Sequence, residues 1–229
     1  MQIEIKYKPA HTLAVASLGA NESIRAEAGA MVSMSSNVDV ATKANTGKKK
    51  GGIFGALKRA LLAGESFFMN DFTAQGGEGE VTLAPQLCGD MVVHDLTGGT
   101  LYIQGTSYVA SPTDIDIDTK FQGMKGILSG ESLFFLAASG TGPVVINAFG
   151  GIDHIDLDGT LIVDTGHLVA FTEGIEYKIR KAQKGFIASF LSGEGLVLEM
   201  KGKGRVYLQS RNPNEYGATL GAKLPPRKE

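Results

Sequence analysis

The sequence predicts an all-β protein made of three tandem, pseudo-symmetric repeats, each a small β-sandwich or double-stranded β-helix. Polar and apolar residues alternate with a period of two along much of the chain, which is typical of strands with one buried face. A pattern of glycines and apolar runs also occurs three times, as in repeat architectures. Turn residues such as Ser111-Pro112-Thr113 and Gly150-Gly151 recur roughly every 8 to 12 residues, as expected for a sandwich or barrel.

Alternation identifies the individual strands, the first of them at the N-terminus. Residues 133–138 and 144–148 are apolar almost without interruption, and we expect them to be buried on both faces. Elsewhere apolar and polar residues take turns, so one face of each strand is expected to be buried. The apolar faces predicted in this way are Ile3, Ile5 and Tyr7, then Ile115 and Ile117, and then Ile155 and Leu157.

The second half of each repeat consists of a Gly-Glu turn, an apolar run, a G-x-G sequence and another apolar run. Its three copies span residues 62–83, 128–146 and 191–208. Glycine tolerates the positive φ of tight turns, so each G-x-G predicts a hairpin between two strands. We expect at least two of Gly79, Gly142 and Gly204 to adopt positive φ. The glycines assigned to structural turns are Gly64, Gly79, Gly130, Gly142, Gly193 and Gly204.

The repeats are predicted to span residues 1–90, 91–151 and 152–215, followed by a tail at 216–229. Units of this size bury too little surface to be stable alone, whereas neighbouring repeats stabilise one another through shared interfaces. We therefore expect one compact body. Its last residues, 224–229, are expected to be frayed.

One segment, residues 48–63 of the first repeat, has no counterpart in the other two and predicts a short inserted helix. On a helical wheel its apolar residues cluster on one side, and basic residues precede and flank them. A basic amphipathic helix suits an anionic membrane surface or a partner's groove, and the alternative is packing against its own β-body. The residues predicted to contact a membrane or partner are Lys48, Lys49, Lys50, Ile53, Phe54, Leu57, Lys58, Arg59 and Leu61.

Composition excludes several classes of protein. A net charge of −2 gives no general attraction to nucleic acid. Cys88 is the only cysteine, so the chain has no intrachain disulfide and no thiolate zinc cluster. Neither a secretory signal nor an apolar run long enough to span a bilayer is present. We expect a cytoplasmic protein, peripheral at the inner face of the membrane if the inserted helix binds there.

Few residues suggest chemistry. His154, Asp156 and Asp158 share one face of a predicted strand and are weak candidates for metal ligands, the alternative being a solvated polar face. No serine-nucleophile, zinc-protease or phosphate-loop motif is present in the sequence. We therefore expect no catalytic residues, no bound metal, no cofactor and no enzymatic activity.

The glycine-rich runs carry a resemblance to a known family. Residues 64–68, residues 130–135, the three G-x-G sequences and residues 163–171 are similar to the altered-inheritance-of-mitochondria family. The resemblance covers nearly the whole chain. It implies three duplicated units, each like the subunit of the trp RNA-binding attenuation protein, and three chains that close into a ring of nine units. The basic residues with which that relative grips RNA are not repeated here, so RNA binding is not expected.

Three classes of function follow from these observations. The first is a non-enzymatic, ring-forming homotrimeric scaffold or adaptor that associates with a membrane or a protein through the inserted helix. The second is a small-molecule or metal-binding module with sites between repeats. An RNA-binding ring is the third and least supported.

Overall fold

The computed structural model describes residues 1–44, 68–118, 134–181 and 196–225, and these residues form an all-β fold, as predicted. Most of the described chain is strand, with one α-helix, α1, at Pro213–Gly221. The strands are β1 (Gln2–Lys6), β2 (Leu13–Leu18), β3 (Ser23–Glu27), β4 (Met31–Met34), β5 (Val38–Ala44), β6 (Phe68–Ala74), β7 (Gly79–Leu83), β8 (Met91–Gln104), β9 (Tyr108–Pro112), β10 (Asp116–Asp118), β11 (Phe135–Asn147), β12 (Ile152–Asp164), β13 (Leu168–Thr172), β14 (Ile175–Lys181) and β15 (Leu196–Gln209).

The strands form two antiparallel sheets. The smaller sheet has the order β1-β2-β7-β4. The larger has the order β12-β15-β13-β8-β11-β9-β3-β6-β5, with β10 beside β11 and β14 beside β15. The strands at the ends of these orders are β1, β4, β5 and β12, and within the described residues they leave backbone groups available to another strand.

The G-x-G sequences do not form hairpins, which corrects the sequence-based prediction. In β11 and β15 they lie inside one continuous strand, and β8 and β12 run beside these strands over their whole length. In the first third of the chain, β6 and β7 flank the motif but belong to different sheets. The motif therefore marks a bend or a change of sheet, which is another use of glycine within strands.

The expected φ angles are also wrong. Of the three glycines named, only Gly142 has positive φ, at 143°, whereas Gly79 and Gly204 do not. Positive φ falls instead on the first glycine of the motif, at 136° for Gly140 and 140° for Gly202. A Cβ at Gly202 would collide with the carbonyl oxygen of Gly174 on the neighbouring chain segment. In these two copies the glycine that the backbone requires is therefore the first of the motif, two residues before the one that we predicted.

Three clusters of buried side chains form the core. The first joins the two sheets, because Leu18 and Val81 of the smaller sheet pack with Ile24 and Phe72 of the larger. The second consists mainly of side chains of β8 and β11, and it includes Tyr207 of β15. The third surrounds Phe135 and Phe171. A continuous interior therefore runs from the first strands to the last.

Most predicted apolar faces are buried, but Ile3, Ile5, Phe134 and Ala137 are only partly buried, and Tyr7 and Ile155 are exposed. Ile115, Ile117, Leu157 and residues 144–148 are buried as predicted. Tyr7 lies beyond the end of β1 with a φ of 58° and is largely exposed. Ile155 is also exposed, because it lies on the outermost strand of the larger sheet.

Helix α1 was not expected, although a signal for it is present. Asn212 caps its N-terminus by accepting hydrogen bonds from the backbone N–H groups of Asn214 and Glu215, and Pro213 follows the cap. The helix predicted within residues 48–63 lies outside the described residues, as do Gly64, Gly130 and Gly193. None of the helices in the described ranges is long and apolar enough to cross a membrane.

Candidate functional site

A cavity of about 420 Å³ lies where β8 approaches β12 and β15, and we call it the seam pocket. Leu157 and Gly204 contribute apolar surface to it. The polar side chains that line it come from four strands and are His94, Asp156, Asp158, Thr172, Lys203 and Arg205. A volume of this size is typical of sites for small molecules.

Two cross-strand ion pairs define the charge of the seam pocket. Arg205 donates from Nε to Asp156 Oδ1 at 2.7 Å and from Nη2 to Oδ2 at 3.2 Å. Lys203 Nζ lies 3.3 Å from Asp158 Oδ2. The hydrogen bonds from Arg205 lower the pKa of Asp156. Both carboxylates therefore have cationic partners, and the charges of the two pairs cancel.

A hydrogen-bonded chain runs from these pairs to His94. The guanidinium of Arg205 lies near Tyr207, whose hydroxyl is 2.7 Å from His94 Nδ1. The positive charge of Arg205 attracts the lone pairs of the Tyr207 oxygen, which favours an orientation in which the hydroxyl donates to Nδ1. Burial, followed by the positive charge of Arg205, lowers the pKa of His94. This network assigns His94 as a neutral ring that carries its proton on Nε2.

A second cavity, of about 560 Å³, lies beside the smaller sheet, and we call it the end pocket. It is built like the seam pocket. Ser17 lies opposite Glu80 and Leu18 opposite Gly79, just as Asp156 lies opposite Arg205 and Leu157 opposite Gly204 in the seam pocket. The two pockets therefore have the same backbone frame.

One hydrogen bond repeats in both pockets, while the charge is reversed. The Glu80 N–H donates to Ser35 Oγ at 2.9 Å, as the Arg205 N–H donates to Thr172 Oγ1 at 2.8 Å. Glu78 also lines the end pocket, two residues before Glu80, where the seam pocket has Lys203. At these two positions the end pocket therefore has acidic side chains, whereas the seam pocket has basic side chains that are paired with Asp156 and Asp158.

The two pockets also differ in what lies beside them. His94 of β8 reaches into the seam pocket from a neighbouring segment of the chain. The end pocket has no matching neighbour among the described residues, because β4 and β1 are the outer strands of its sheet. Among the described residues, the end pocket therefore lacks the additional side chain that β8 supplies to the seam pocket.

An uncovered apolar surface runs along β4. Three strands, β4, β9 and β13, each follow a three-residue turn and pair with the last long strand of their part of the chain. Tyr108 and Val109 of β9 are fully buried, whereas Met31 and Val32 at the same places in β4 are 42% and 57% exposed. The inner strands are buried because a neighbouring strand covers them.

A second uncovered apolar surface lies on β12, at the other end of the larger sheet. Ile162 is 46% exposed and Ile155 is also exposed. On β8 the two corresponding residues make contacts with the next part of the chain: His94 bonds Tyr207, and Tyr102 stacks on Phe171 at 5.0 Å. The β12 residues therefore lack, in the described chain, the neighbour that their β8 counterparts have.

The structure places the metal candidates along the outside of β12. His154 is exposed, with its ring 6.0 Å from that of Tyr207. Asp156 and Asp158 bind Arg205 and Lys203, as described above. Within the described ranges, no three His, Cys, Asp or Glu side chains come together as a metal site. The nine residues predicted to contact a membrane or partner lie outside the described residues.

Comparisons with known proteins give a consistent result. The family model described as Mitochondrial biogenesis AIM24 matches residues 3–211. An uncharacterized protein of Streptococcus pyogenes serotype M6 is 31% identical over 207 residues, which cover 89% of this chain and 83% of that protein. A crystal structure of a Streptococcus pyogenes protein from a structural genomics consortium matches with a TM-score of 0.80 and 29% identity. That match covers 97% of this chain and 99% of the other.

Proposed function

This chain belongs to the family described as Mitochondrial biogenesis AIM24, and we propose that it acts as a non-enzymatic scaffold whose copies join head to tail into a ring. The uncovered apolar strands β4 and β12 support this proposal most strongly. β4 ends the smaller sheet and β12 ends the larger one. Within the described chain these two strands therefore do not cover each other. A second copy of the chain offers each strand its missing neighbour.

Two junctions inside the chain are the pattern on which we base the proposed contact. β3 pairs with β9, with Ala26 opposite Ala110. β8 pairs with β13, with Ile103 opposite Ala170 and Tyr102 opposite Phe171. Both junctions are antiparallel, and each pairs the end of a strand that precedes a three-residue turn with a short strand that follows another such turn.

The same rule sets the register between copies. It pairs β12 of one copy with β4 of the next and places Val163 opposite Ser33. Ile162 then lies opposite Met34, at the positions that Tyr102 and Phe171 occupy inside the chain. Side chains directly opposite each other in an antiparallel pair are in contact. The proposed contact therefore joins two apolar side chains that are both exposed in the single chain.

The contact also accounts for the end pocket. Ile155 occupies the place on β12 that His94 occupies on β8, so the next copy's end pocket would receive Ile155 as its additional side chain. Full burial of an Ile, Val or Met side chain contributes about 1.5–3 kcal/mol. Several such side chains, together with new backbone hydrogen bonds, are needed to offset the translational and rotational freedom that the chains lose when they associate.

The number of copies follows from the family resemblance, which implies three. A head-to-tail contact forms either a closed ring or an open filament, and three copies of three units give the ring of nine. Light scattering on micromolar protein should therefore give three times the chain mass of 24.1 kDa. An Ile162→Asp variant should give the mass of one chain. A monomeric wild-type protein would contradict the proposal.

The surface that such a ring presents is the second part of the proposal. The basic, apolar stretch that begins at Lys48 occurs once per chain, so a trimer carries three copies related by one axis. We assign to it contact with an anionic membrane surface, which places the ring in the cytoplasm against the inner face of the membrane. Three weak contacts acting together bind more tightly than one because of their effective concentration.

A further inference from the structure

The seam pocket is complete within a single chain, and nothing in the proposed ring requires it to exist. A scaffold needs its edges and outer surfaces, whereas this cavity brings six polar side chains from four strands around one space. Pockets of this size with a few convergent polar groups are the usual form of a small-molecule site. The polar groups that remain available show which ligand the pocket suits.

His94 supplies the first available group. Its Nδ1 accepts from Tyr207, so the ring nitrogen left for a ligand is Nε2, which carries a proton. The hydrogen bond at 2.7 Å between Tyr207 and Nδ1, with the Arg205 guanidinium held nearby by Asp156, places this proton on Nε2. His94 is thus held as a hydrogen-bond donor towards the pocket.

Thr172 and Lys203 supply two more donors. The Thr172 oxygen accepts from the Arg205 N–H at 2.8 Å, so its hydroxyl proton is free to be donated elsewhere. Lys203 is highly exposed, and its contact with Asp158 is the exposed kind that contributes little to stability. The ammonium can therefore turn to a ligand at small cost.

We propose that the seam pocket binds a small molecule through an oxyanion, a carboxylate or a phosphate group. The three donors are His94 Nε2–H, the Thr172 hydroxyl and the Lys203 ammonium. Leu157 and the bare backbone of Gly204 contact the apolar part of the same molecule. Asp156 stays paired with Arg205, and the Lys203 ammonium has three protons, so it can contact an anion while it remains beside Asp158.

The end pocket offers a built-in contrast. Its frame is the same, but Glu78 and Glu80 stand where the seam pocket has Lys203 and Arg205. The carboxylates of Glu78 and Glu80 repel an anion, and the ammonium of Met1, which also lines the end pocket, is paired with Glu22 at 2.6 Å. The chain therefore carries one pocket suited to an oxyanion and one that should reject it.

The experiment uses the full chain, labelled with nitrogen-15 in its four histidines, and follows the imidazole signals by NMR. The probes are sodium phosphate and sodium succinate, each compared with sodium chloride at equal ionic strength. We expect a saturable, millimolar shift of the His94 signal with both oxyanions or with one of them, which distinguishes phosphate from carboxylate recognition. No saturable His94 shift with either probe would overturn the proposal.

Matched variants show where the oxyanion binds. Lys203→Gln should weaken binding about fivefold, which corresponds to about 1 kcal/mol for one charge contact in water. Lys201→Gln, two residues away on the same strand and outside the pocket lining, should leave binding unchanged, as should Glu78→Gln in the end pocket. Equal weakening by Lys201→Gln and Lys203→Gln would mean general charge attraction and would overturn the proposal. The monomeric Ile162→Asp variant should still bind, so failure of the ring and failure of this site are separable.

Discussion

The rings of Tyr102 and Phe171 stack with their centroids 5.0 Å apart across the junction between β8 and β13. Ile162 and Met34 occupy the matching places on β12 and β4, and both are exposed within the described chain. The same two positions are thus filled by a stacked pair inside the chain and left open at its ends. This contrast is the basis for the location and the register of the head-to-tail contact that we propose.

Phe171 should be important for the stability of the chain itself. It is fully buried and packs against Phe135 and Tyr177 as well as Tyr102. Phe171→Ala should lower the free energy of unfolding by about 3–5 kcal/mol, as expected for a large aromatic side chain removed from a core. Urea unfolding measures this change. A loss below about 1 kcal/mol would show that the junction between β8 and β13 is loosely packed.

A second internal contact that should stabilise the fold is the ion pair between Arg25 of β3 and Asp71 of β6. Arg25 donates from Nε to Asp71 Oδ1 at 2.7 Å and from Nη2 to Oδ2 at 3.1 Å, and Asp71 is buried. Asp71→Ala leaves a partly buried guanidinium without its carboxylate, which should cost about 3–5 kcal/mol. The double variant with Arg25→Met should recover part of that loss in the same unfolding measurement. If the double variant is less stable than Asp71→Ala, the pair is not the source of the effect.

Glu27 should make stability depend on pH. Burial raises the pKa of this carboxyl from its ordinary value of 4.5 to about 7 in the folded chain. Between these values the folded state binds more protons than the unfolded state, so stability falls as the pH rises from about 4.5 through about 7. Glu27→Gln should remove this dependence and stabilise the protein at pH 8 by on the order of 1 kcal/mol. The free energy of unfolding of both proteins is measured between pH 5 and pH 8. If it changes with pH to the same extent in both, the raised pKa of Glu27 is contradicted.

The alternation of polar and apolar residues predicted most of the strands, but the assignment of the G-x-G glycines to hairpin turns was wrong. Alternation correctly identified the buried faces at Ile115 and Ile117, because burial on one face has a fixed period of two. A glycine with positive φ, however, serves equally well in a tight turn and in a bend inside a long strand. The pairing of β8 with β11 decides between them, and that pairing is not visible in a local pattern.

The candidate sites were harder to predict. His94 and Tyr207 lie 113 residues apart and meet only because β13 and β8 pair across a junction. Helix α1, by contrast, had a local signal in Asn212-Pro213 that ordinary capping rules recognise. The exposure of Ile155 differs from the prediction because alternation cannot show whether a strand lies at the edge of a sheet.

The inserted segment of the first repeat should give the protein salt-sensitive affinity for anionic membranes. Each basic residue near an anionic surface contributes about 1 kcal/mol, and apolar side chains add burial. Wild-type protein should co-sediment with anionic liposomes at low salt and less at physiological salt, while a Phe54→Ser, Leu57→Ser variant should not. Equal binding by both proteins, or none by wild type, would assign this segment to contact with a protein or with its own β-body.

The proposed register between copies can be tested by a disulfide. With Cys88 replaced by serine, a chain carrying both Ile162→Cys and Met34→Cys has two thiols that face each other only across the β12–β4 contact. Directly opposite residues in an antiparallel pair have the separation that a disulfide needs. Under mild oxidation this chain should run as a covalently closed trimer on a non-reducing gel. The mismatched pair Val163→Cys with Met34→Cys should not, because neighbouring residues of a strand face opposite sides of the sheet. Monomers after oxidation, or equal cross-linking of the matched and mismatched pairs, would contradict the head-to-tail ring.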